Sequence, residues 1–449
     1  MKVYNNILKN TRIYQDNELQ NFVVSLEDEF LINDEIQRYG RLVNFSDNAK
    51  NPYHQWFRYR EGFAGRLVED ILLRSNAKKG EFIVDPFSGS GTTPLAAIMN
   101  GYYGIGVDVN PMAAFLTDVK LKPYSWDQLK EVESQEDVFE IDKFGYDEKL
   151  FIDVERFFDH EKLVDLLRIK SFIDNIESHI VRNLCSIAYL SIIEQCSNRK
   201  RDGNGLKTRP STVKNVKQKF FNKLQEIIED IKYIRPIDGN IGYGVSGDAR
   251  QLKSLIDPIL QSHQSVVGAI IFSPPYPNSF DYCESYKMEL VLGGFVNHIS
   301  GLNTLRSQAV RSFIGCKTPV ISSKYIDMIA KEIEIEIPRK EAITNRVDSR
   351  TRKVPNMIKG YFDDMTLILE QCALTLPKGK KCYIVVDQSS YLGKLVPTDL
   401  LLGYLAKGVG FKVNQIIICR KAKTSGQQLK QYPYLADILR ESIVELEKL

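Results

Sequence analysis

A doubly wound α/β sheet of seven strands with a largely helical inserted domain is the fold this sequence predicts, and three observations predict it. Between residues 81 and 110, a buried-strand pattern, a glycine turn, a helix pattern and a second strand ending in an acid follow one another. That order is a βαβ unit. Five further strand patterns separated mainly by helical ones come after residue 242, which extends the unit into one sheet covered by helices. From about 125 to 240, apolar residues recur only at helical spacing.

The first strand is Glu81-Phe82-Ile83-Val84-Asp85-Pro86, an apolar run too short for a helix, and it leads into Phe87-Ser88-Gly89-Ser90-Gly91-Thr92-Thr93. Pro94 to Met99 suits the first turns of a helix, where proline costs no hydrogen bond. Gly104 to Val109 is the second strand, stopped by Asn110-Pro111. The segments FIDVERFFDHEKLVDLLRI, IESHIVRNLCSIAYLSIIEQ and VKNVKQKFFNKLQEIIEDIKYI then read as helices, with no strand signal among them. Strands resume at Tyr243–Ser246 and Val266–Phe272, the latter ending at Ser273-Pro274-Pro275-Tyr276. Next come a helix near 359–375, a strand at Lys381–Val386, a helix near 396–407, and strands at Lys412–Cys419 and Ser442–Leu446.

The 449 residues amount to about three domain-sized units at roughly 150 residues each. Hydrophobic residues at 43% and charged residues at 26% are ordinary globular values and exclude disordered and collagen-like chains. No stretch has the apolar length of a membrane span and the first residues carry no signal-peptide core, so a cytoplasmic protein with no membrane partner is expected. Seven scattered cysteines without a C-x-x-C pair argue for reduced core thiols. His54, His160, His179, His263 and His298 show no metal spacing, and no metal is expected.

Sixty basic against 57 acidic residues leave a net charge of +3, which names no partner. The distribution is more informative. From Arg199 to Lys219, eight basic side chains, among them Arg199, Lys200, Arg201, Lys207 and Arg209, face only Asp202, a local charge of +7. A basic loop around Asp202-Gly203-Asn204-Gly205, joining two helices, suits phosphate contacts; the alternative is a solvated loop with cationic helix flanks. A second cluster, Arg346, Arg350, Arg352 and Lys353, is a weaker candidate.

Gly89 and Gly91 at a strand's carboxyl end allow a tight turn against which a nucleotide-like cofactor can lie. The triphosphate-binding form of such a loop needs a lysine after its last glycine, where this chain has Thr92; the dinucleotide form needs a third glycine, where it has Pro94. Asp108 closes the second strand, where an acid accepts from ribose hydroxyls. Asp248 follows the third strand, placed to accept from an adenine amino group, and Ser273-Pro274-Pro275-Tyr276 ends the fourth.

Together, Asp85-Pro86-Phe87-Ser88-Gly89-Ser90-Gly91-Thr92-Thr93 and Ser273-Pro274-Pro275-Tyr276 resemble the cofactor and catalytic motifs of the S-adenosylmethionine-dependent DNA amino-methyltransferases. The resemblance covers about 50–120, 240–295 and 358–449. It implies a Rossmann-like methyltransferase sheet and S-adenosylmethionine as cofactor, with double-stranded DNA as substrate. It also implies a flipped target base and a role in restriction–modification, with a cognate restriction endonuclease as candidate partner. It assigns Phe63, in the segment before the cofactor loop, to the methionine end of the cofactor site. The cofactor loop precedes the catalytic one, so the chain is not of the permuted type.

An exocyclic amine is a poor nucleophile because its lone pair is delocalised into the ring. Ser273 and the Pro274 carbonyl are placed to hold its two hydrogens, the prolines make the loop rigid, and Tyr276 offers a ring for an extruded base. Attack from carbon 5 would need a cysteine after proline, and no cysteine here follows one. Serine before Pro-Pro-Tyr looks like the cytosine-N4 branch. Adenine-N6 methylation, RNA methylation such as guanine-N2 on tRNA, and an inactive DNA-binding subunit are the alternatives. The aromatics of Asn278 to Tyr286 either line the base pocket or pack beneath it.

The expected division is an N-terminal extension at 1–50, a cofactor-binding part at 51–123, and a helical insertion for target recognition at 124–240. The catalytic-loop part then occupies 241–296, a second insertion with possible DNA contacts 297–357, and the C-terminal part of the catalytic domain 358–449.

Overall fold

The computed structural model describes residues 2–3, 7–202, 205–234, 241–316, 323–422 and 426–449. Its strands are β1 (Lys2–Val3), β2 (Ile32–Asp34), β3 (Phe82–Asp85), β4 (Tyr103–Asp108), β5 (Arg199–Asp202), β6 (Gly205–Thr208), β7 (Gly242–Ser246), β8 (Val267–Phe272), β9 (Lys381–Asp387), β10 (Ser389–Tyr391), β11 (Lys394–Val396), β12 (Phe411–Lys421) and β13 (Arg440–Lys448). Nine of them form one sheet in the order β1-β2-β12-β13-β9-β8-β3-β4-β7.

All seven expected strands lie in that sheet. β3 and β8 are buried along their whole length, as a parallel strand covered on both faces requires. β9, β8, β3, β4 and β7 run parallel, while β13 lies antiparallel between β9 and β12. β1 and β2 extend the edge beyond β12. They are two and three residues long, too short to leave a periodic trace in sequence.

The carboxyl ends of β3, β4 and β8 meet at one rim, and the chain reverses there from the β3-β4-β7 side to the β8-β9 side. Such a switch point opens a crevice. Behind it the helices Val354–Thr375 and Thr398–Gly408 pack on one face of the sheet. Gly65–Arg74 and Thr92–Met99 pack on the other.

The segment after β4 is mainly helical, with long helices at His160–Asp174, His179–Cys196 and Val216–Tyr233. Their core includes Leu163, Leu184, Ile187, Phe220 and Ile227, and runs without a break into Trp56, Leu116, Tyr286 and Leu290. The helical unit is thus welded to the segments on either side of the crevice.

Two expectations fail in this unit. The segment contains strands, because β5 and β6 pair as an antiparallel hairpin with Arg199 opposite Thr208 and Asp202 opposite Gly205. The basic stretch is therefore a hairpin and not a loop; its turn residues Gly203 and Asn204 lie outside the described residues. Strands made of Arg-Lys-Arg-Asp and Gly-Leu-Lys-Thr have no apolar alternation to reveal them. No helix among the described residues is long and apolar enough to cross a membrane.

Candidate active site

The loop after β3 is shaped by its glycines. Gly89 has φ +51° and Gly91 φ +84°, left-handed values that favour glycine. A Cβ on Gly89 would stand 2.9 Å from the Tyr59 ring. Gly91 caps the helix Thr92–Met99, and Thr93 Oγ1 donates to the Ile271 carbonyl at 3.2 Å, tying that helix to β8.

Both loop carboxylates are held by backbone. Asp85 Oδ1 accepts from the Phe87 N–H at 2.9 Å. Asp108 accepts from the N–H groups of Gly89 and Asn110, each at 2.9 Å. Burial pushes Asp85 up to about 7 and Asp108 up to about 6, against the backbone hydrogen bonds that favour their charged forms. Beneath the loop, buried Lys120 donates to the Ser90 carbonyl at 2.8 Å, and burial lowers its pKa to about 7. Sequence reasoning missed this lysine; the available signal was a cation among the apolar residues of Pro111–Leu121.

Asp248 stands across the crevice, but not as a free acceptor. Its carboxylate caps Arg250 N–H at 2.9 Å and is gripped by the Arg250 guanidinium at 2.7 and 3.0 Å. A cavity of 80 Å³ joins Pro86, Phe87, Gly89, Asp108 and Asp248 to Ser273 and Pro275. Tyr282 and the Gln308–Val310 turn narrow it. Acceptor carboxylates at both ends, apolar walls between them and a glycine that lets backbone approach give a lining whose chemistry suits a nucleoside.

The Ser273 side opens into a second cavity of 270 Å³, lined by Phe63, Pro274, Tyr276, Asp387, Arg420 and Glu441. Ser273, Glu61 and Tyr282 border both spaces, and Phe63, buried, borders the second together with a small cleft under Ser90 and Thr92. Ser273 Oγ donates to the Tyr276 hydroxyl at 3.0 Å, which donates to Glu441 Oε1 at 3.1 Å. Arg420 is ion-paired with Glu441 Oε2. Asp387 is pushed up to about 8 by burial and by the Glu441 charge. These three charged residues come from β12, β13 and β9, and sequence reasoning singled out none of them.

The aromatics after Tyr276 divide between the two readings. Phe280 and Tyr282 line the 270 Å³ cavity, whereas Tyr286 is buried beneath, stacked on Tyr59 with centroids 4.8 Å apart.

Beyond this site, a cleft of 770 Å³ lies between the β5–β6 hairpin, the start of Val216–Tyr233 and the segment around Arg58. Arg199, Lys200 and Arg209 line it, joined by Arg58, Lys214 and Lys219. Lys200, Arg209, Arg58 and Lys214 are exposed, and the Arg199 guanidinium is turned to Thr208 and the Arg156 carbonyl. Exposed Lys207 stands outside the cleft lining, 3.8 Å from Asp202. Arg201 departs from the expectation of a phosphate contact: it is 5% exposed, and its guanidinium binds Glu194 at 2.5 Å, the Ser285 carbonyl at 2.9 Å, and Glu289. Those acids hold it in the interior. In the second cluster, Arg352 is likewise engaged, with Glu341.

The sequence has counterparts among known proteins. A family model described as DNA methylase, of the N6 and N4 class, matches residues 4–116. The type II methyltransferase M.BsoBI of Geobacillus stearothermophilus is 26% identical over 91% of this chain and 88% of its own length. In these matches the chain is similar to the DNA amino-methyltransferases. The type II methyltransferase M.AvaI of Nostoc sp. is 25% identical over 92% of this chain and 90% of its own. The solved rRNA methyltransferase AviRa of Streptomyces viridochromogenes has 10% identity and a TM-score of 0.30 over 90% of this chain and 92% of its own, too remote to bear on the fold.

Proposed function

We propose that this chain is an amino-methyltransferase that modifies the exocyclic N4 amine of cytosine within a specific sequence of double-stranded DNA, acting on a base turned out of the helix. The observation that carries the reading is Ser273, which borders both the crevice of Asp108 and the cavity of Tyr276. Asp108 and Asp248, with the turn around Gly89, would hold S-adenosylmethionine, and Phe63, Asp85, Ser90 and Thr92 border its methionine end. When bound, that cofactor supplies an electrophilic methyl group.

Ser273 Oγ and the Pro274 carbonyl would accept the two amine hydrogens, favouring a pyramidal nitrogen whose lone pair is aimed at the methyl carbon. Prolines at 274 and 275 fix φ and hold those acceptors in place. Tyr276, Phe280 and Tyr282 give the extruded base aromatic surface. Transfer would be direct. Cys283, the cysteine that borders the crevice, has its thiol pushed up to about 12 by burial, which makes it a poor nucleophile.

Serine ahead of Pro-Pro-Tyr favours cytosine over adenine. The cleft of Lys200, Arg209, Arg58 and Lys214 would carry the DNA backbone, and the helical unit around it would read sequence. The type II relatives support a modification role, in which a cognate restriction endonuclease would be the partner.

Incubating the protein with isotope-labelled S-adenosylmethionine and with matched DNA and RNA, then identifying the labelled nucleoside, tests this. N4-methylcytosine in DNA is expected. Label found only in N6-methyladenine, or only in RNA, would overturn the cytosine assignment.

A further inference from the structure

We propose that Glu441 and Tyr276 form a relay that fixes the Ser273 hydroxyl as a hydrogen-bond acceptor toward the substrate amine. The inference rests on amino-methyl transfer at Ser273, and not on which base is the target. A serine hydroxyl carries one proton and two lone pairs and is free to rotate. Facing an amine whose hydrogens need acceptors, a freely rotating hydroxyl would present its own proton part of the time, which is the wrong polarity. A carboxylate at this position would have no such ambiguity.

The surroundings of Ser273 remove it. The Glu441 carboxylate can only accept, and its Oε2 is occupied by Arg420. Its Oε1 lies 3.1 Å from the Tyr276 hydroxyl, so Tyr276 donates there. Having spent its proton, the Tyr276 oxygen can only accept from Ser273 Oγ, 3.0 Å away. The Ser273 proton is thereby drawn into the relay, and its lone pairs are left for the cavity.

The strands build this in register. Arg420 of β12 stands opposite Glu441 of β13, and Glu441 stands opposite Asp387 of β9. Glu441 is 2% exposed, so its hydrogen bonds are made in a low-dielectric setting where their direction counts for more. Asp387, kept largely protonated near neutrality by burial, does not compete with Glu441 for Arg420. Glu441 and Tyr276 are positioning residues here: they act through the orientation of Ser273.

A double-mutant cycle tests the relay, scored as total labelled methyl transferred to DNA whatever the nucleoside. Tyr276→Phe keeps the ring and removes the hydroxyl; kcat is expected to fall about tenfold, the cost of one misdirected hydrogen bond. Affinity for S-adenosylhomocysteine should be unchanged. In a Ser273→Ala background no hydroxyl remains to orient, so adding Tyr276→Phe should cost nothing more. Glu441→Gln, which leaves the Tyr276 ring untouched, tests the relay from its other end, with a loss in kcat that also vanishes in the Ser273→Ala background.

Additive losses in either cycle would overturn the relay, as would a Tyr276→Phe defect that lies in cofactor affinity. Label in adenine with a non-additive cycle would sink the cytosine assignment and leave the relay standing. N4-methylcytosine with additive losses would do the reverse. Absence of methyl transfer by the unmodified protein to any nucleic acid would overturn both.

Discussion

The Arg201 guanidinium lies 4.2 Å over the ring of Tyr286, placing a cation of the β5–β6 hairpin on an aromatic of the catalytic-loop segment. Tyr286 stacks in turn on Tyr59, against which Gly89 of the cofactor loop packs. Arg201 also neutralises Glu289, whose side chain is 1% exposed. Removing one partner of such a pair strands the other in the interior. Arg201→Ala should therefore destabilise the protein by about 3–5 kcal/mol, measured by denaturant unfolding. Lys200→Ala, one residue away and exposed, should change stability by less than about 0.5 kcal/mol.

The cleft cations make the opposite prediction. Lys200, Arg209 and Lys214 stand exposed around a cleft of 770 Å³. If each neutralises one phosphate, single alanine substitutions should each reduce the slope of log K against log salt by about 0.9. Titrating a fluorescent duplex at several salt concentrations would measure it. An unchanged slope in all three variants would place the DNA elsewhere.

The centre of the sheet was legible because β3 and β8 are buried on both faces. Val267–Phe272 is an unbroken apolar run, and a run of that length between helical patterns is too short to be a buried helix and reads as a strand. The glycine loop and the Ser-Pro-Pro-Tyr turn were legible because their chemistry depends on local backbone shape, which glycine and proline encode. The hairpin was not, since Arg199–Asp202 owes its strand geometry to partners such as Glu194 and Glu289 and not to an apolar face. Arg420, Glu441 and Asp387 were hidden for a related reason. Each lies on a different strand, and only the antiparallel insertion of β13 between β9 and β12 sets them side by side.

The Asp108 carboxylate fixes the glycine turn through Gly89 N–H and is the acceptor assigned to the ribose. Asp108→Ala loses both functions, and a tenfold or greater loss of S-adenosylhomocysteine affinity, about 1.4 kcal/mol or more, is expected by titration calorimetry. Gly89→Ala should weaken the cofactor comparably, because its φ is left-handed and its Cβ would press on Tyr59. Tyr276→Ala should spare cofactor affinity while weakening capture of the target base. Equal loss of cofactor affinity in the Tyr276 and Asp108 variants would contradict the division of roles between the two cavities.

Asp387 predicts a pH dependence of stability whose sign is fixed. Its pKa is raised to about 8 in the folded protein, against about 3.9 in an unfolded chain. Between those values the folded state holds a proton that the unfolded state has lost, so stability falls as pH rises. The contribution is fully present below about pH 4 and is lost as pH passes about 8. Asp85 and Asp108 act in the same direction at lower pH. Lys120, lowered to about 7, acts in the opposite direction above that value, because there the unfolded state binds the extra proton. Asp387→Asn isolates the single term, since the amide mimics the protonated acid at every pH. Melting temperatures of the unmodified protein and the variant should lie closest near pH 4 and diverge by several degrees by about pH 8, the variant melting higher. A difference that stays constant from pH 5 to pH 9 would show that Asp387 is ionised in the folded protein throughout.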